Sequence, residues 1–432
     1  MPREATKNDM SFVAPDTLKK TVLGLGLVPE AGFETAFTKF IDTQVRSVGG
    51  VHHPEDPSIV KIVDAILAYG CENRASDVHI EPRETQTAVR FCVDGLLHDV
   101  VTLPKRLHEP IVARIKTLAK IKTGEQRVDV RVSTTPVIEG EKVIMRLRAG
   151  TSRRHALEDL GLSQEDMKKV RSALDRPFGM IVVAGPSDSG KTTTLYALLK
   201  VLNERGAGIA TVEDPVEYQL ADVTQLHVNP ETHPTFAEGL RSVIRRDPEV
   251  IMVGEIRDRK TASIAADAAL TGHLVLSALL ANDAPACIPR LRDMNVTPFL
   301  MASTISLIIA QRLVRRVCPH CIQSYTVQED QLPENLPKDV KKTLFAGKRT
   351  VQLSKGVGCA ACGFRGTLGR VGIYETMEVD EAIRDLIMAR AGADIIRREA
   401  IRKGMTTLFD DGIAKVLAGV TTIDDVFDEM TP

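Results

Sequence analysis

Residues 185–192 read Gly-Pro-Ser-Asp-Ser-Gly-Lys-Thr, a match to G-x-x-x-x-G-K-[ST], and no other run constrains the chain as much. Gly185 and Gly190 let the backbone curl until its N–H groups point inward at phosphate oxygens. Lys191 brings a cation toward the β- and γ-phosphates, and Thr192 offers a hydroxyl to Mg²⁺. The loop works only between a strand and a helix, and the flanks supply both. Gly179–Ala184 is a short apolar run suited to a buried strand, and Thr193–Leu202 has helical periodicity, its N-terminus aimed at the anion. Gly185, Pro186, Ser187, Asp188, Ser189, Gly190, Lys191, Thr192 and Thr193 are therefore the expected contacts of a nucleoside triphosphate, ATP with Mg²⁺.

A chain of 432 residues has room for two or three domains. Aromatic residues are only 4% and tryptophan is absent, so the cores must be aliphatic. A formal net charge of −1 gives no global field toward nucleic acid or acidic lipid. The first residues carry charges of both signs and lack the apolar stretch of a signal peptide. No run approaches the ~18 apolar residues of a membrane helix. The expectation is a cytoplasmic protein that meets a membrane only through partners.

Seven cysteines in a reducing compartment argue against a disulfide framework. Cys71, Cys92 and Cys287 stand singly in apolar or helical contexts. The other four form two knuckles, Cys318-Pro-His-Cys321 and Cys359-Ala-Ala-Cys362, which read together as one closed, structural Zn²⁺ site. A redox C-x-x-C is the rival for either pair alone, and His320 could replace one thiolate.

Organisation follows from periodicity. Residues 1–55 read as a short N-terminal segment, with a modest helix near 31–45 and a linker at Gly49–Pro54. Residues 56–150 combine a helix from Ser58 to Gly70, strand-like segments at 77–81, 87–93, 97–103, 128–135 and 142–147, and a helix over 104–120, an α+β domain. Residues 151–432 start with a charged linker. They then alternate strand and helix from Gly179 to about Arg316, with strands at 180–184, 208–212, 249–253 and 273–278, as in a parallel sheet covered on both faces. The metal segment 318–362 is inserted next, and the last ~60 residues read as a small helical bundle.

Three further segments carry chemistry. Asp247–Asp258 is an apolar strand ending in acids, so Glu255 could hold Mg²⁺ through water or activate an attacking water. Thr211–Tyr218 gathers Glu213, Asp214 and Glu217 at another strand's C-terminal end, where ligands of open α/β sheets bind. Thr271-Gly-His273 closes a helix and opens a strand. Asp77, His79 and Glu81 alternate on one strand face and could mimic a metal site.

From here the chain resembles the secretion ATPases of bacterial type II secretion and type IV pilus assembly, over about residues 56–432. The resemblance rests on Ala75-Ser-Asp-Val-His-Ile-Glu-Pro82, Arg90-Phe-Cys-Val-Asp-Gly95, Val128-Asp-Val-Arg-Val-Ser133, Glu213-Asp-Pro-Val-Glu-Tyr218, Val253-Gly-Glu-Ile-Arg-Asp258, Ala269-Leu-Thr-Gly-His-Leu-Val275, Gln311-Arg-Leu-Val-Arg-Arg316 and the paired knuckles. It implies a PAS-like N2 domain before a RecA-like C-domain and a homo-hexameric ring. Hydrolysis in such a ring drives filament assembly from the inner membrane, through an inner-membrane platform and accessory proteins. By motif, Glu255 becomes the Walker B acid, Glu213 a member of the Asp box and His273 the first histidine of the His box. Arg131 and Arg146 resemble the N2 arginines that reach the phosphates, a task suited to a permanently charged fork.

Four departures stand out. Asp188 occupies a usual glycine position, Leu280 replaces the second histidine of the His box, the hairpin expected after Glu125-Gln-Arg127 is missing, and Cys92 stands where an arginine is common. The long N-terminal docking domain of many relatives is also expected to be absent or reduced to about 55 residues. Two functional readings follow: a motor ATPase, or a nucleotide-holding subunit of the same machinery that barely hydrolyses. The knuckles disfavour a retraction or conjugation ATPase.

Overall fold

The computed structural model describes residues 7–13, 33–47, 54–118, 127–148, 156–228, 235–331, 338–345 and 347–430. The expected linker at 49–53 and most of Glu125–Arg127 lie outside them. Two compact units divide the chain, residues 1–153 and 154–432.

The first unit is built on an antiparallel sheet of β1 (Lys7–Val13), β2 (Asp77–Pro82), β3 (Gln86–Val93), β4 (Leu96–Pro104), β5 (Arg127–Val137) and β6 (Gly140–Arg148), in the order β1-β5-β6-β2-β3-β4. Period-2 alternation decides its faces: Val78 and Ile80 of β2 enter the core while Asp77, His79 and Glu81 take the other side. Among the described residues these three do not form a metal-binding cluster. Glu81 pairs with Lys142 at 2.7 Å and Asp77 with Arg146 at 2.9 Å, an ion-pair ladder across the strands. The helix Pro57–Glu72 is capped by Asp56, which accepts the Ser58 N–H at 2.8 Å, and buries Ile59, Ile62, Val63 and Ile66 against the sheet. The expected helix over 104–120 starts as a 3₁₀ turn at Lys105–Leu107 and turns α-helical at His108–Leu118.

Within residues 1–55, the helix expected near 31–45 is present at Phe33–Ser47, and the described residues add to the first unit. β1 pairs along β5, and the helix Phe33–Ser47 buries Phe37 and Ile41 in the same core. Phe37 stacks on Tyr69 with ring centroids 4.1 Å apart. Burial of this ring adds to what holds the helix on the core. Phe37→Ala is expected to destabilise this unit by about 3 kcal/mol, read by urea unfolding. A loss below about 0.5 kcal/mol would mean that the helix is not part of the domain core.

The second unit holds a mixed sheet of β7 (Gly179–Ala184), β8 (Ile209–Glu213), β9 (Val223–His227), β10 (Val250–Val253), β11 (Leu274–Leu279), β12 (Ile305–Val317) and β15 (Thr367–Glu378), ordered β15-β12-β7-β11-β10-β8-β9. β7 is buried on both faces, Val182 facing one helical layer and Ile181 the other, hence its unbroken apolar run. The parallel pattern expected over 179–316 holds from β7 to β12, and β15, from beyond that range, adds one antiparallel edge. Between β12 and β15 the chain makes a hairpin, β13 (Ile322–Gln328) with β14 (Thr350–Gly356). Because it returns at the end where β12 left, β15 can only run antiparallel to β12. The C-terminal helices pack on the sheet: Ile383, Ile396, Leu408, Ile413 and Val426 share one core with Val182 and Ile308.

β11 lies between β7 and β10, so the loop strand and the acid strand stand two spacings apart, roughly 10 Å. That gap leaves room for phosphates at the sheet's C-terminal edge.

Candidate nucleotide site and metal centre

The loop closes at that edge because two glycines permit it. A Cβ on Gly185 would lie 2.3 Å from Ser189 Oγ and 2.6 Å from the Gln311 carbonyl, so no side chain fits. Gly190, at φ 90°, turns the chain into the helix Lys191–Glu204, whose exposed first-turn residues include Thr192 and Thr193. Lys191 Nζ donates to the carbonyls of Gly185 at 3.0 Å and Pro186 at 2.5 Å, so its charge lies across the cradle. Burial draws the Lys191 pKa down, while the carboxylates of Glu255 and Asp188 oppose that shift. Ser189 Oγ is buried without a hydrogen-bond partner. An orphaned hydroxyl and a half-buried ammonium at the start of a helix fit a polyphosphate.

Glu255 leaves the sheet just beyond β10, half-exposed and ion-paired with Arg257, which also reaches Asp214 at 3.7 Å. Asp258 is spent on capping: its Oδ1 accepts the Thr261 N–H at 2.9 Å. Of the acids after β10, Glu255 is therefore the one presented to the loop. Glu213 takes a different place from the one its sequence context suggests. It is 2% exposed, and its oxygens accept from Tyr196 at 2.5 Å, Thr211 at 2.6 Å and Gln225 at 3.2 Å. A carboxylate so satisfied has little capacity left for water or Mg²⁺. It anchors Tyr196 and the Asp214 turn instead.

His273 does not belong with the loop. β11 runs parallel to β7 with Leu274 beside Gly179, which puts His273 at the N-terminal end of the strands, about 15–20 Å from the phosphate edge. There its Nδ1 meets the Pro248 carbonyl at 2.8 Å. Leu280 follows the other end of β11, 46% exposed, at the edge where the loop begins. Asp188 is exposed and adopts φ 60°, the left-handed region where glycine is at ease.

Arg131 and Arg146 are cross-strand neighbours on β5 and β6 of the first unit. Arg146 is exposed and its Nε lies 2.9 Å from Asp77, so any phosphate must compete with that carboxylate.

The four thiols of Cys318, Cys321, Cys359 and Cys362 gather within 4.8 Å of one another. Sulfur separations of 3.8 and 3.9 Å match a tetrahedron with Zn–S bonds of ~2.3 Å, whose edges are ~3.8 Å. Burial works against a Cys362 thiolate, yet the backbone N–H groups of Cys359 at 3.2 Å and Gly366 at 3.3 Å hold its pKa down to about 6. The donor set suits Zn²⁺, and His320 stays exposed beside it.

Sequence reasoning missed Tyr196 and gave Gln311 no role. Gln311 is 1% exposed; its Nε2 donates to the Ser189 carbonyl and its Oε1 accepts from Thr194 Oγ1, both at 2.7 Å. The available signal was a lone amide inside the apolar strand Ile305–Val317, since a buried polar group needs a partner.

The family model for "Type II/IV secretion system protein" matches residues 52–428. The type II secretion system ATPase E of Vibrio cholerae is 40% identical over 389 residues, 86% of this chain and 75% of the relative. The type IV pilus assembly ATPase PilB of Myxococcus xanthus is 39% identical over 396 residues, 88% of this chain and 69% of the relative. The Legionella pneumophila ATPase DotB superposes with a TM-score of 0.61 at 21% identity, covering 88% of this chain and 96% of that one. The pilus retraction motor PilT with bound ADP gives 0.57 at 23% identity, over 86% and 97%. These structures share the fold.

Proposed function

The chain belongs to the Type II/IV secretion system protein family, and from that premise we propose that it hydrolyses ATP to power assembly of a type II secretion pseudopilus or a type IV pilus. One observation carries the enzymatic part. Glu255 is the acid at the edge of β10 that is not spent on capping; it is ion-paired with Arg257 and its field reaches Lys191, so water activation and phosphate binding meet at one place. Mg²⁺ would be held by Thr192 with Glu255 beyond it, and its chemistry is neutralising charge on the β- and γ-oxygens. Arg131 and Arg146 would add fixed positive charge to the transferring phosphoryl group. The working unit is a homo-hexamer bound to an inner-membrane platform; no described helix is long and apolar enough to cross the membrane itself. The test is steady-state phosphate release from Mg-ATP by the assembled protein; a rate equal to buffer would refute it.

A second reading, a nucleotide-holding subunit with little turnover, is favoured by Asp188 and Leu280. Asp188 sets a negative charge beside the cradle, and Leu280 puts a side chain without a donor at the phosphate edge. Asp188→Gly removes the charge and the left-handed strain together. Tighter ATP binding by roughly five- to thirtyfold is expected in titration calorimetry, from about 1–2 kcal/mol of relieved charge repulsion. Leu280→His restores a donor, and its gain is expected in single-turnover rate. Unchanged values in both variants would remove the support for the second reading.

A further inference from the structure

β12 does something that β7 and β11 do not. In parallel register Ala310 of β12 stands beside Ala184 of β7, and Leu279 of β11 stands beside Ala184 on the other side. At that level β7 ends in the phosphate loop and β11 ends in the segment 280–284, while β12 runs on to Val317. Its next two residues, Gln311 and Arg312, point to opposite faces, because side chains alternate along a strand.

Gln311 takes the loop side. It bridges the Ser189 carbonyl and the Thr194 hydroxyl, joining the loop's last turn to the helix that follows. Gly185 and Gly190 both pack on it: built Cβ atoms would meet its carbonyl oxygen at 2.6 Å and its Nε2 at 3.0 Å. Held by Gln311 Nε2, the Ser189 carbonyl fixes the peptide plane that enters Gly190, and with it the orientation of the last N–H groups of the loop.

Arg312 takes the other side. It is 9% exposed; its Nη2 donates to the Asn282 carbonyl at 2.8 Å and its Nη1 to the Gln311 carbonyl at 3.2 Å. No carboxylate among the described residues lies within ion-pair distance of it, and Glu429, Asp283 and Glu375 act on it only from farther away. A desolvated guanidinium spent on backbone carbonyls is an expensive arrangement for simple packing. What it fixes is the path of residues 280–284, which Glu375 also holds by accepting the Ala284 N–H at 2.9 Å.

We propose that Gln311 and Arg312 form a two-sided clamp of positioning residues: Gln311 sets the phosphate loop for binding, and Arg312 sets the segment after β11 for turnover. The inference rests on the nucleotide reading above, and deepens it by separating the two tasks on adjacent residues. Neither side chain need touch the nucleotide.

The test compares Gln311→Leu, Gln311→Glu, Arg312→Gln and Arg312→Lys in the full chain. Gln311→Leu is expected to weaken Mg-ADP and a non-hydrolysable ATP analogue by the same factor, tenfold or more. Gln311→Glu keeps the shape but turns the donor into a carboxylate facing a carbonyl; it should weaken both nucleotides likewise, and it carries this arm if the leucine variant does not fold. Arg312→Gln is expected to keep ADP affinity within twofold and lower turnover at least tenfold, with partial recovery in Arg312→Lys. Hydrogen exchange gives a readout independent of activity. Amides of 280–284 should exchange at least tenfold faster in Arg312→Gln, and those of 185–190 in the Gln311 variants, without the reverse. The clamp is overturned if the folded Gln311 variants bind both nucleotides like wild type, or if exchange rises at both loops in every variant. Absence of phosphate release in the wild type would count against the ATPase reading alone, because the exchange pattern and ADP affinities still decide the clamp.

Discussion

Glu255→Gln is expected to hold nucleotide and fail to turn it over, with kcat lowered by about 10²–10⁴-fold, the usual worth of a positioned base. The change keeps side-chain size and leaves the Lys191 cradle and the Thr192 hydroxyl in place, so the ATP dissociation constant should shift by no more than a few-fold. Lys191→Ala is the complementary case. It removes the ammonium that now bridges the Gly185 and Pro186 carbonyls, and affinity should fall by roughly 10–100-fold, the worth of a charged hydrogen bond or two. Turnover then disappears with binding. Calorimetry and phosphate release on the two variants separate the roles. Wild-type turnover in Glu255→Gln would transfer the base to another acid, and Glu213, whose oxygens are already occupied, would be a poor heir.

Removal of zinc should have the second large effect, confined to one end of the molecule. Cys318 directly follows β12 and Cys362 lies just before β15, so an ion held by the four thiols would pin the far end of the long β12–β15 ladder and the base of the β13–β14 hairpin. Structural zinc in small domains contributes about 10–16 kcal/mol of apparent binding energy, most of it expressed as folding. Here the hairpin side chains Val327 and Leu353 also join the main core. Chelation or Cys362→Ser should therefore cost less, on the order of several kcal/mol, and lower the melting temperature while ADP affinity stays near wild type. The phosphate loop is spared because β12 meets it at Gln311, several residues before the knuckle. Protein purified without chelator that contains no zinc would end this claim, as would a melting curve indifferent to EDTA.

The elements that the sequence determined are those whose signal is local. The loop 185–192 announces itself because glycine, lysine and threonine must stand at fixed spacing for backbone N–H groups to face phosphate. β7, β10 and β11 read as unbroken apolar runs because both faces are covered, and the knuckles read as a metal site because one ion needs four thiolates within reach. Tertiary structure decided whatever depended on which end of a strand a residue occupies. His273 and Leu280 lie on one strand seven positions apart, and only the parallel register with β7 shows that the leucine is at the phosphate edge and the histidine at the opposite one. The antiparallel run of β15 follows from where the hairpin returns, a matter of chain path that periodicity does not encode. The occupied carboxylate of Glu213 depends on Tyr196 and Gln225, brought beside it from other elements. Sequence fixes which chemistry a residue can offer; register, burial and the partners supplied by distant segments fix whether that chemistry is still free to act.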